Sequence, residues 1–157
     1  MKMHKVKSAS RSGVTVVETA IVLSVALLLT FAIYDYARYF FLSQLVNNAA
    51  RAGARVAVAN TNSQNTALIQ STVMQYLASQ NLTDTSGNAF NAADVVVTQV
   101  NPSTGAATTD SNWYDAPFGS GIMVQVNASI KPLFPSFGFL PSTVNLTGTA
   151  VMLSEAN

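Results

Sequence analysis

The sequence predicts an α+β chain: a long N-terminal transmembrane helix extending into a small extracytoplasmic domain with a second short helix and an antiparallel sheet of three or more strands. Three observations carry this. Residues 14–34, VTVVETAIVLSVALLLTFAIY, are apolar except for one charge, Glu18. Helix-compatible sequence then continues without proline to about Asn60. Finally, three strand-like segments follow after residue 90, two of them alternating apolar and polar residues.

The apolar run has 21 residues, about 31 Å at 1.5 Å per residue, which matches a hydrocarbon core of roughly 30 Å. A buried helix of a soluble domain would place polar residues every third or fourth position, whereas residues 19–33 offer only Thr19, Ser24 and Thr30. Lys2, Lys5, Lys7 and Arg11 precede the run and no basic residue follows it before Arg38, so the N-terminus is expected in the cytoplasm. A secretory signal peptide also begins basic and apolar, but this run ends in YDYARYF, a poor cleavage site, so the helix is expected to be retained. Asp35 and Arg38, three apart, can pair on one helix face; a helix simply leaving the bilayer is the other reading of this stretch.

From 35 to 60 the helix must stand outside the membrane. Leu42, Val46, Ala49, Ala50, Gly53 and Ala57 recur at helical spacing as a small-residue stripe, suited to an intramolecular core contact or to neighbouring helices. Arg51 and Arg55 share another face, either holding acidic partners or solvated. Thr66 to Gln80 places Ile69, Val73, Tyr76 and Leu77 at helical spacing, a second helix. DTSGN at 84–88 is a turn around Gly87 without calcium-loop spacing. Strands are expected at 94–100, 122–130 and 144–153. The loop at about 101–121 carries Trp113, which either anchors a partner or tucks onto its own sheet.

Composition restricts the chemistry. Lys, Arg, Asp and Glu make up 10% of the chain against 49% hydrophobic residues, and cysteine is absent. The single histidine, His4, lies in the basic tail. No thiolate nucleophile, Ser-His-Asp triad or multi-histidine metal site can be assembled from these residues, so we expect no enzyme, no catalytic residue, no metal and no cofactor. A carboxylate enzyme would need Asp94, Asp110 and Asp115 to converge. After Arg55 the only basic residue is Lys131, which argues against a nucleic-acid face.

Glu18 is costly at membrane depth and calls for a partner, or for snorkelling to the interface. A cut between Gly13 and Val14 would create an amine one helical turn away. The basic leader, Gly13 before an apolar helix, and Glu18 five residues later resemble the processing signature of type IV prepilins and pseudopilins, which a membrane prepilin peptidase cleaves after the glycine. The segments NAARAGARVA (48–57) and YDYAR (34–38) are similar to those of TadE-like proteins, and IKPLFP (130–135) with VNLTGTA (144–150) is similar to the family's closing strand, turn and strand. Thr19 stands where the family usually has an aromatic residue, and Ser24 where it often has proline, so the membrane helix is expected without a proline kink.

The resemblance implies a pilin-like fold and a division into a cleaved leader (1–13), a transmembrane helix (14–34), a helix extension (35–60) and a small α+β domain (61–157). Its implied function is that of a minor pseudopilin in a Tad (tight adherence) or Flp-type pilus assembly or secretion machine. The implied sites are Gly13 and Val14 for processing, Glu18 for subunit register, and Asp35, Arg38, Ala50, Arg51, Gly53 and Arg55 for packing. The implied partners are the membrane, a prepilin peptidase and other pilins or pilus assembly proteins in a hetero-oligomer. The implied location is a bacterial inner membrane, with the C-terminal domain outside the cytoplasm. The alternative is an uncleaved single-pass membrane protein whose outer domain is a binding module.

Overall fold

The structure, a computed structural model, describes residues 12–108, 112–133 and 142–155. Its elements are α1 (Ser12–Ala59), α2 (Thr66–Leu77), β1 (Val95–Val100), β2 (Gly121–Ile130) and β3 (Val144–Leu153), with short 3-10 turns between them. The strands form an antiparallel meander in the order β1-β2-β3, and α1 and α2 cover one face of it. The α+β fold class expected from the sequence is what the chain adopts.

α1 is one helix of 48 residues, about 72 Å long. Leu42 is its first buried residue. Beyond it the inward positions are Val46, Ala49, Ala50, Gly53, Ala54 and Ala57, which meet α2, β2 and β3. The small-residue stripe is therefore a core contact of the chain itself. A Cβ added at Gly53 would lie 2.8 Å from Val73 Cγ2. On the sheet side, Gly148 of β3 would place a Cβ 2.7 Å from the Val46 carbonyl oxygen. Glycine at 148 thus sets how closely helix and sheet approach.

The inner face of β2 is supplied by Ile122, Val124, Val126, Ala128 and Ile130, and that of β3 by Leu146, Gly148 and Ala150. On β3 the alternate residues Asn145, Thr147, Thr149 and Val151 are exposed, the expected pattern for a sheet wet on one side. α2 stops at Leu77, three residues short of the expected end, and starts with Asn65 accepting the Leu68 N–H at 3.0 Å. Ile69, Val73 and Leu77 are buried while Tyr76 is half exposed, so the inward face is narrower than its spacing predicts.

The long loop after β1 contains a turn at Trp113–Asp115. Trp113 is buried, and its Nε1–H donates to Thr66 Oγ1 at 2.9 Å, so the tryptophan tucks onto its own domain. In the DTSGN turn, Asp84 Oδ1 accepts the backbone N–H groups of Ser86 and Asn88 at 2.7 and 2.8 Å. Asp84 Oδ2 accepts the Asn88 side-chain amide at 3.0 Å. These donors hold the Asp84 carboxyl below its ordinary value of 3.8, the Asn88 side chain contributing most.

Candidate functional site: the exposed half of the long helix and its collar

From Gly13 to Tyr34 every residue of α1 is exposed, and the apolar segment is long enough to cross a membrane with none of it buried inside the protein. A soluble core helix would be covered. Val14, Val17, Ile21, Leu28 and Ile33 are each more than half exposed. Such a surface requires lipid or other apolar helices around it.

Three hydroxyls within this run are satisfied inside the helix. Thr19, Ser24 and Thr30 each donate to the carbonyl four residues earlier, Thr15, Ala20 and Ala26, all at 2.8 Å. A hydroxyl bonded this way presents no unmet donor to hydrocarbon. These three polar residues therefore do not disqualify the segment as a span.

At the N-terminal end, Glu18 is exposed on the helix surface. Gly13 lies within α1, and a Cβ built on it meets nothing within 4 Å among the described residues. Its backbone does not have the positive φ that favours glycine, in contrast to Gly87, Gly105 and Gly119. Neither packing nor backbone conformation of the described residues requires glycine at 13. The leader before residue 12 lies outside the described residues.

At the other end of the exposed run, Asp35 and Arg38 grip the connection that leaves β2. Arg38 Nη1 donates to the Lys131 carbonyl at 3.0 Å, and Asp35 Oδ1 accepts the Leu133 N–H at 3.1 Å. Neither reading of this stretch, a mutual pair or a helix simply leaving the bilayer, includes this contact: both residues reach across nearly a hundred positions of sequence to fix a backbone turn. Beside them a cleft of about 370 Å³, lined by Ala32, Tyr36, Tyr39, Ile130, Pro132 and Val144, separates the helix from the end of the sheet. The two charges and this cleft form a collar where the helix leaves its uncovered stretch. Residues 134–141, part of the turn expected from sequence, lie outside the described residues.

The remaining sequence-predicted residues divide by burial. Ala50 and Gly53 face the core, while Arg51 and Arg55 are exposed on the opposite side. The NAARAGAR segment is thus a close-packing surface with a charged back. Of the three carboxylates that a catalytic reading would need together, Asp94 Oδ2 accepts the Asn91 N–H at 2.8 Å, Asp115 is exposed in the turn after Trp113, and Asp110 lies outside the described residues. Among the described residues no group of three or more His, Cys, Asp or Glu could hold a metal ion. The contacts missed from sequence are the backbone atoms of Lys131 and Leu133, which no residue pattern marks as partners of a helix.

The fold and this surface define a class: a chain with, among the described residues, one candidate membrane span continuous with a small α+β domain. Within that class, residues 13–55 match the family model described as TadE-like protein. The match supports the resemblance read from the sequence. It covers the exposed run, Asp35 and Arg38 of the collar and the small-residue stripe as far as Ala54, all on α1, and stops before α2 and the sheet. Neither curated proteins nor solved structures give a match.

Proposed function

We propose that this chain is a minor pseudopilin-like structural component of a Tad or Flp-type pilus assembly or secretion machine. It is inserted in the bacterial inner membrane with its N-terminus cytoplasmic, cleaved after Gly13 by a prepilin peptidase, and assembled through the exposed half of α1. The observation that carries this reading is the glycine at 13, which neither packing nor backbone conformation among the described residues explains. A peptidase that must admit the backbone on one side of the scissile bond supplies the missing reason.

The mechanism follows from the helix surface. Cleavage leaves Val14 with a free ammonium, four residues from Glu18 and on the same face. In the bilayer the exposed apolar side chains contact lipid; in an assembly they exchange lipid for the apolar helices of other subunits. The Glu18 carboxylate tolerates that exchange only if neutralised. The Val14 ammonium of a neighbouring subunit does this at one axial offset, so the pair sets register. The α+β domain, held by the collar and the stripe, rides outside the membrane.

The test is the mature N-terminus, read by mass spectrometry after expression with and without an active cognate prepilin peptidase. A chain beginning at Val14, and lost in Gly13→Leu, is expected. A chain that keeps Lys2 to Gly13 beside an active peptidase would overturn the proposal and leave an uncleaved tethered binding module.

A further inference from the structure

We propose that the turn after β2 is a second membrane contact: Lys131 and Leu133 seat the α+β domain on the outer surface of the same bilayer that α1 crosses. This rests on α1 being a membrane span, and it is independent of whether the chain is cleaved.

The height of the turn is set by α1. From Gly13 to Asp35 the helix rises about 33 Å, one hydrocarbon thickness, so Asp35 sits at the far boundary of the bilayer. Asp35 Oδ1 holds the Leu133 N–H at 3.1 Å, which brings Leu133 to that boundary. Arg38, about one turn further out, holds the Lys131 carbonyl at 3.0 Å. Going from Lys131 to Leu133, the chain therefore descends toward the membrane.

The side chains along this descent follow the bilayer's own gradient. Lys131 is exposed at headgroup height, where an ammonium meets lipid phosphate. Leu133 is 56% exposed at the boundary below it, and Pro132 adds no charge between them. Tyr36, 70% exposed on α1 at the same level, is the residue type that concentrates at this interface.

The opposite end of the domain provides an internal control. β2 and β3 run from the Ile130–Val144 pair near the turn to the Gly121–Leu153 pair, about 30 Å away at the rise of a strand. Phe118, 74% exposed just before that distal end, is at least as uncovered as Leu133 but lies well away from the bilayer. Exposure alone does not make a membrane contact; exposure at the height of Asp35 does.

The chain has no cysteine, so single thiols can be placed at will. The full-length variants Leu133→Cys, Phe118→Cys and Val25→Cys would each carry an environment-sensitive fluorophore. They would be reconstituted in phosphatidylglycerol–phosphatidylcholine vesicles containing a lipid-attached quencher. We expect blue-shifted, strongly quenched emission at 133 and 25, and unquenched, water-like emission at 118. Adding Lys131→Glu should reduce quenching at 133 and leave 25 unchanged. A probe at 133 that behaves like 118 while 25 is quenched would overturn the contact with the span intact. Quenching at 133 that is indifferent to Lys131→Glu would overturn the headgroup interaction. No quenching at 25 would overturn the span and the proposal with it.

Discussion

The two halves of α1 share one backbone and differ in what their side chains are for. Up to Tyr34 the helix presents large apolar groups on all sides and buries none of them; from Leu42 on it buries a narrow stripe of mostly small ones. The first half has affinity for any apolar surroundings and therefore for none in particular. The second half has one partner, its own α2 and sheet, matched to sub-ångström tolerance at Gly53 and Gly148. Size at the inward positions, rather than hydrophobicity, separates a surface that can change neighbours from one that cannot.

The contrast can be broken from either side. Ile69→Ala empties a fully buried position of α2 against the stripe and should destabilise the α+β domain by about 2–5 kcal/mol, read as its thermal unfolding in detergent, with membrane integration unchanged. Leu27→Arg should do the reverse. Integration falls by an amount corresponding to about 2.5–3.5 kcal/mol at mid-span, measured as the inserted fraction, while domain unfolding stays where it was. Gly148→Ala probes the tight approach to Val46 and should cost about 1–3 kcal/mol by overpacking, measured by denaturant titration.

The smallest effect lies away from both halves of the helix. Asp84 has a depressed carboxyl pKa in the folded domain, so its contribution to stability is present above the ordinary value of 3.8 and is lost as pH falls through the lower folded value. Asp84→Asn should flatten the acid limb of stability below pH 3.8, followed by unfolding at stepped pH, by lowering stability slightly above that pH toward the acid value. A variant with the same acid limb as the parent would remove the turn from the pH response.

Much of this architecture is legible in the sequence because it rests on periodic, local chemistry. The apolar run and the stripe Leu42, Val46, Ala49, Ala50, Gly53 and Ala57 announce both halves of α1, and alternation locates β2 and β3 to within a residue. The fate of Trp113 was open because tucking depends on Thr66, a partner 47 positions away. The collar was less visible still. Asp35 and Arg38, three apart on one helix, suggest a mutual pair or simply a helix leaving the bilayer, and neither reading points to the backbone atoms of 131–133 that both residues bond, because backbone atoms leave no mark in composition. Tyr76 has the right spacing and is half exposed, because burial at the edge of a helix face is decided by what packs opposite.

α1 is unbroken from Ser12 to Ala59, and it works as a keyed shaft. Each residue turns the helix by about 100°, so the compass bearing of the domain relative to Glu18 is encoded by the number of residues between them. Inserting one alanine between Leu27 and Leu28, below the collar, would keep the collar and the core contacts in place and swing the domain about a quarter turn around the axis relative to Glu18. The chain thereby couples which neighbour its buried end meets to which way its exposed end faces.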